Sequence, residues 1–147
     1  MDKQIVLGFD YGLKRIGMAI GQSITGTAAP LETLNVYAEK IDWPSCDRLF
    51  NSWKPTHLVV GLPIPERNID QTLLKAAREL AVTLAKRYAR PVYGVDESFT
   101  TRMARQYLQE RHGKSANHLK VDGIAACLIV ESFLREGGVA LADVTDH

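Results

Sequence analysis

Cysteine is scarce in this chain: Cys46 and Cys127 are the only two in 147 residues. They lie far apart, in no C-x-x-C or metal-ligand spacing. That excludes a disulfide framework and a thiolate zinc site, and fits a reduced, cytoplasmic protein. No run of about 18 apolar residues is present to span a membrane, and no signal peptide is recognisable. Internal repeats and low-complexity segments are also missing. Net charge is only +1, so the field of the whole molecule does not announce a nucleic-acid binder, and any such surface must be local.

What is present reads as one domain, long enough to bury roughly 68–70% of its unfolded surface without metal or disulfide. Charge is locally lopsided. Between Ser98 and Lys120 lie Arg102, Arg105, Arg111, Lys114 and Lys120, with His112 and His118, against the single acid Glu110. Lys14 and Arg15 add a second basic spot. Any one of these reads as part of a solvated face, but the bias over the whole stretch points to phosphate.

Alternation predicts a strand from Ile5 to Asp10, a hairpin through Leu13–Lys14–Arg15, and a returning strand from Ile16 to Gly21. Gly8 shares a face with Asp10 and is expected to leave that face open. Thr27 to Val36 reads as a third strand, with Pro30 favouring an edge or a bulge. A short helix is expected from Pro44 to Trp53, and His57 to Leu62 as a strand buried on both faces. A loop from Pro63 to Ile69 leads to a long helix from about Asp70 to Tyr88, then a strand from Pro91 to Glu97. A helix capped by Thr100 or Thr101 ends at Gly113, and the last helix runs from about His118 to Arg135. The domain is thus expected over residues 1–138, with 139–147 a loose tail. The order βββαβαβαα predicts an α/β fold: a five-stranded mixed sheet, three strands antiparallel and then two parallel, flanked by helices.

Carboxylates gather where such a sheet binds ligands, at the carboxyl ends of its strands. Asp10 ends the first strand, Asp96 and Glu97 end the last, and Asp122 opens the final helix. Clustered anions need a shared cation. Hard oxygen ligands suit Mg2+ or Mn2+, and a pair of such ions about 4 Å apart cleaves phosphodiesters. Each acid has a plainer role as turn-former, helix-end charge or strand-end charge. Asp96 and Glu97 point to opposite faces, so only one should join a site, and periodicity does not choose between them.

Five segments in order carry a resemblance: "GFDYGLKRIGMAIG", "TAAPLETL", "LVVGLP", "VDESFTTRMA" and "KVDGIAACLIVESFL". Over roughly Ile5 to Arg135 the chain resembles the YqgF/RuvX family, Holliday-junction-resolvase-like proteins of the ribonuclease H-like superfamily, assigned as nucleases for the precursor of 16S ribosomal RNA. The resemblance implies a ribonuclease H-like fold and three catalytic, metal-binding carboxylates at Asp10, Glu97 and Asp122, choosing Glu97 over Asp96. It implies phosphate contact for Arg15, with Lys14, Arg102 and Arg105 as further nucleic-acid-binding candidates. The chain departs from the family pattern at Gln22–Ser23, at Ser98, and in the glycine-free loop "IPERNIDQT".

The expected activity is metal-dependent endonucleolytic cleavage, with pre-16S rRNA as substrate in ribosome biogenesis and branched DNA as the alternative. Ribosomal particles are conceivable partners, and the protein is expected as a monomer or homodimer. Two rivals remain. An ATPase of the actin/Hsp70/sugar-kinase class shares the core and the D-x-G motif, but needs two domains and a second glycine-rich loop that this chain does not show. A non-catalytic nucleic-acid-binding or ribosome-associated factor would retain the fold, but would have no reason to cluster three anions. Trp43 and Trp53 are expected to pack rather than stack on bases, His118 to be a surface residue, and Cys127 to be core.

Overall fold

The computed structural model describes residues 3–12, 14–62, 71–96 and 118–142, with the backbone alone at 118–122 and 142. Among the described residues eight strands form one mixed sheet in the order β5-β4-β2-β1-β6-β7-β8, with β3 also pairing β2. β1 (Ile5–Tyr11) and β2 (Arg15–Gln22) make an antiparallel hairpin in which Asp10 lies opposite Gly17. β6 (His57–Leu62) and β7 (Val92–Asp96) continue in parallel beyond β1.

The sheet exceeds the expected five strands for three physical reasons. The expected third strand is split into β3 (Thr27–Pro30) and β4 (Leu34–Tyr37). Ala19 pairs Pro30 and Ile16 pairs Leu34, so residues 31–33 face residues 17–18, and one extra residue must be accommodated. Pro30 has no N–H with which to continue the ladder, so the bulge falls there. Next, β4 turns back into the two-residue β5 (Lys40–Ile41), too short to show any period. The two residues between them, Ala38 and Glu39, have φ of 50° and 64°. This is the backbone of a type I′ hairpin, whose usual sequence is Asn-Gly, so the pattern gave no signal. Finally, residues 139–142, expected at the start of a loose tail, are instead β8 (Val139–Ala142), antiparallel to β7. Four apolar residues carry too little alternation to be recognised, but an unpaired β7 edge supplies the partner.

Among the described residues three helices cover the sheet. α1 (Trp43–Trp53) is capped by Asp42, whose carboxylate accepts the Ser45 N–H at 3.2 Å and the Ser45 hydroxyl at 2.7 Å. α2 runs Thr72–Tyr88 and α3 His118–Glu136. Both α1 and α2 end at a left-handed residue, Lys54 and Ala89. The helix expected between Thr100 and Gly113 and the loop from Pro63 to Ile69 lie outside the described residues.

Each strand sorts its residues between two cores. Leu7, Phe9, Ile16, Met18, Ile20, Leu58 and Val60 pack with Cys46 of α1 and with Leu80 and Leu84 of α2. Val6, Ala19, Val59 and Val95 pack on the other face with Ala126, Ile129, Val130 and Phe133 of α3. β6 is buried on both faces, as its continuous apolar run predicts.

Candidate active site

The α3 face of the sheet is built from small residues. Even positions of β1 and odd positions of β2 point to it, which gives Val6, Gly8 and Asp10 on one strand and Gly17, Ala19 and Gly21 on the other. The helix therefore lies close. A Cβ on Gly8 would stand 2.3 Å from Val130 Cγ2, and a Cβ on Gly21 would stand 2.5 Å from Val130 Cγ1. Each methyl of Val130 fills the space left by one glycine. Gly8 is thus a seat for the helix rather than an opening beside the carboxylate, which corrects the reading from sequence.

The strand positions beside Asp10 are themselves glycines. Gly17 lies directly across on β2. On β6, Val60 pairs Phe9, and the next residue is Gly61. Asp10 is half-buried near the carboxyl end of β1, and neither neighbouring strand position carries a side chain. These two glycines were missed from sequence. The Asp10↔Gly17 register across the hairpin was the signal that could have found Gly17.

α3 crosses the sheet rather than running along one strand. Phe133 stacks obliquely on Tyr93 of β7 with ring centroids 5.1 Å apart, Ala126 and Val130 lie over β1 and β2, and a Cβ on Gly123 would be 3.2 Å from Pro30 of β3. The buried Ala125, Ala126 and Ile129 allow this close approach, as the sequence suggests. The N-terminal turns of α3, with Asp122 one residue before Gly123, therefore belong to the same side of the sheet as Asp10. The side chain of Asp122, and Glu97, Arg102 and Arg105 entirely, lie outside the described residues, as does the side chain of His118. Among the described residues no three His, Cys, Asp or Glu side chains gather to hold a metal.

Asp96 is exposed at the end of β7 and alternates with Val95, which packs under α3. Its side chain belongs to the opposite face of the sheet from Asp10. Of the basic candidates, Lys14 is exposed at the hairpin, where its carbonyl accepts the Val36 N–H at 2.9 Å. Arg15 opens β2, half-buried and paired with Asn35, on the Asp10 face by register.

Of the remaining candidates, Trp53 is 41% exposed, against expectation, and the others pack. Trp43 lies under the Arg87 guanidinium, 4.8 Å from carbon to ring centroid. Cys127 and Cys46 are buried, and burial pushes their thiols up to about 12 and about 11, away from reactive thiolate. His57 accepts or donates at Nδ1 with the Thr56 hydroxyl at 2.8 Å, stacks near Tyr93, and is pushed below its ordinary pKa by burial. No helix among the described residues is long and apolar enough to cross a membrane.

A carboxylate ending the first strand of an antiparallel hairpin, parallel strands beyond it, and a C-terminal helix laid across that face define a ribonuclease H-like α/β fold. Solved structures agree. Thermus thermophilus RuvC in complex with a Holliday junction substrate superposes with a TM-score of 0.55 at 16% identity, over 93% of this chain and 99% of that one. A second T. thermophilus RuvC structure gives 0.53 at 17% identity, over 92% and 98%. At such identities the likeness is one of fold.

Residues 4–136 match the family described as "RuvX: Holliday junction resolvase", and the chain belongs to that family. It is 38% identical over 133 residues to the "Putative pre-16S rRNA nuclease" of Francisella tularensis subsp. novicida (strain U112), covering 90% of this chain and 98% of that protein. The protein of the same name from Francisella philomiragia subsp. philomiragia gives the same identity and coverage.

Proposed function

We propose that the chain is a metal-dependent endonuclease that cleaves phosphodiester bonds in the precursor of 16S ribosomal RNA. The observation that carries this reading is the setting of Asp10: a half-buried carboxylate at a strand end, flanked by Gly17 and Gly61, on the side of the sheet that α3 crosses. An aspartate that only formed a turn would need neither the glycines paired beside it nor a helix laid across its face. The relatives named for pre-16S rRNA, matched over nearly their whole length, supply the substrate.

The donor chemistry fits a divalent ion. Asp10, Glu97 and Asp122 offer only carboxylate oxygens, which suit Mg2+ or Mn2+. When bound, such an ion supplies an activated water at neutral pH and neutralises charge at the leaving oxygen. The chain's own share is to hold three anions on a backbone frame and to present cations to the substrate. Asp96, on the opposite face, supports Glu97 as the strand-end ligand. Arg15 and Lys14, beside the Asp10 end of the hairpin, would contact backbone phosphates, with Arg102 and Arg105 extending that surface. Such contacts orient a strand without reading its sequence. A cytoplasmic location and contact with ribosomal particles follow from this reading.

Cleavage of pre-16S rRNA in Mn2+, in Mg2+ and in chelator tests it, with a four-way DNA junction alongside. Wild type is expected to cut the RNA only with metal, and Asp10→Asn, Glu97→Gln and Asp122→Asn each to reduce cutting to background while remaining folded. Preference for the junction would move the substrate to branched DNA. Cutting that persists in chelator, or in all three variants, would overturn the site.

A further inference from the structure

The β4–β5 hairpin carries a feature that the carboxylate site does not use. Tyr37 is 84% exposed, the highest among the exposed large hydrophobic residues that are described, on a strand whose neighbours Leu34 and Val36 face the core. Register gives its direction. Asp10 lies opposite Gly17; Arg15 shares the Gly17 face and pairs with Asn35; Tyr37 follows Asn35 by two. Asp10, Arg15, Asn35 and Tyr37 therefore belong to one face of the sheet, in a line that leaves the end of β1 and crosses two strands. With strands about 4.8 Å apart and a rise of about 3.3 Å per residue, position 37 lies roughly 16 Å from position 10.

The turn of the hairpin sets where Tyr37 sits. Its turn consists of Ala38 and Glu39, both left-handed at φ 50° and 64°, where Asn-Gly would be relaxed. Two strained residues in one turn fix Tyr37 close to the end of a short ladder, closed by its pairing with Lys40. The base of the hairpin is tied to the β1–β2 turn by the bond from Val36 N–H to the Lys14 carbonyl.

We infer that Tyr37 is a stacking platform for an unpaired nucleobase of the substrate strand, a few nucleotides from the scissile phosphate. This rests on the nuclease reading above. An exposed aromatic ring on the face that carries Asp10 and Arg15 combines the two elements that bind single strands: a cation for the backbone and a ring for the base. A stacked base prefers a flat ring with few torsions, which tyrosine gives. Duplex RNA, whose bases are already stacked, gains nothing from it. Tyr37 is a positioning residue: it would set which phosphate reaches Asp10.

The test uses the full chain with fluorescein-labelled single-stranded and duplex RNA in Mg2+, in the Asp10→Asn background so that binding is read without cleavage. Tyr37→Ala is expected to weaken single-strand binding about tenfold, the order of one lost stacked base, Tyr37→Phe to stay within about twofold, and duplex binding to be unchanged. An Ala variant that binds single strands like its parent, or that loses duplex binding equally, overturns the platform. A melting temperature unchanged in Tyr37→Ala separates lost stacking from lost fold. Mapping the cut on pre-16S rRNA with the cleavage-competent chain separates the two readings. Metal-dependent cutting at one position by wild type but at scattered positions by Tyr37→Ala supports both. Unchanged cut positions sink the platform alone. No cutting and no RNA binding by wild type sinks both.

Discussion

Val130 sits with one methyl over Gly8 and the other over Gly21. Its branched side chain has one strongly preferred rotamer on a helix, so it cannot swing aside. Gly8→Ala is therefore expected to destabilise the protein by about 1–3 kcal/mol through overpacking. In Gly8→Ala/Val130→Ala the new methyl would occupy the space the valine vacates, so the double variant should lose less stability than the sum of the singles. Urea melts of the four proteins read this directly, and strict additivity would exclude the contact as the cause. At this same scale the sequence was informative in one respect and misleading in another. A carboxylate after an apolar strand is visible in "GFDYG", and so is the alternation that parts Asp96 from Glu97. Gly8 looked like clearance for Asp10 because a single strand shows which residues share a face, but not which partner lies over it.

Between elements, the tie from α1 to α2 is an ionic one. Asp47 accepts from Arg87 Nε at 2.8 Å and Nη2 at 2.6 Å, and from the Tyr88 hydroxyl at 2.6 Å. These bonds, the Arg87 fork first, hold its carboxyl below the ordinary value of 3.8. A carboxylate with a lowered folded pKa contributes stability that is present above its unfolded pKa and is lost as pH falls through the folded one. Tyr88→Phe removes one bond and keeps the ring stacked on Phe50 at 4.2 Å. It is expected to cost about 1 kcal/mol at neutral pH. That deficit should shrink below about pH 4 as Asp47 protonates. Denaturant titrations of both proteins at the two pH values check it, and a deficit that is constant with pH would assign the loss to packing. Element boundaries were legible wherever a long period or a proline marked them: Pro44 announces α1 and Pro55 follows its end, while the cap at Asp42 was not read. The β4–β5 hairpin was not legible, because Ala-Glu is not a turn sequence and is imposed by the pairing on either side.

For the whole molecule, the decisive piece is the last one. β8 closes the edge of β7 with four residues from beyond the final helix. An uncovered β7 would present a row of unpaired donors and acceptors. Removal of residues 139–147 is expected to convert a chain that elutes at one defined mass into one that associates progressively with concentration. Size-exclusion chromatography with light scattering measures this, and an unchanged mass would show the edge to be protected otherwise. The α/β class and the antiparallel-then-parallel order could be read from the chain because they follow from connection lengths: short links in the first half and helical crossovers in the second. Strand count could not, since β5 and β8 owe their existence to neighbours rather than to their own pattern.

α3 spans the sheet from Tyr93 on β7 to Pro30 on β3 as a single rod. At about 1.5 Å per residue, roughly 16 Å separate position 133 from position 122. Val130 in its glycine seat and Phe133 against Tyr93 fix two points of that rod, and two points set the line on which the rest of it lies. Packing at buried Phe133 and half-buried His57, on the other side of Val130 from Asp122, therefore bears on where the backbone of the first turns falls. Residues that look like mere filler near the C-terminus of the helix are in effect the alignment screws of its other end.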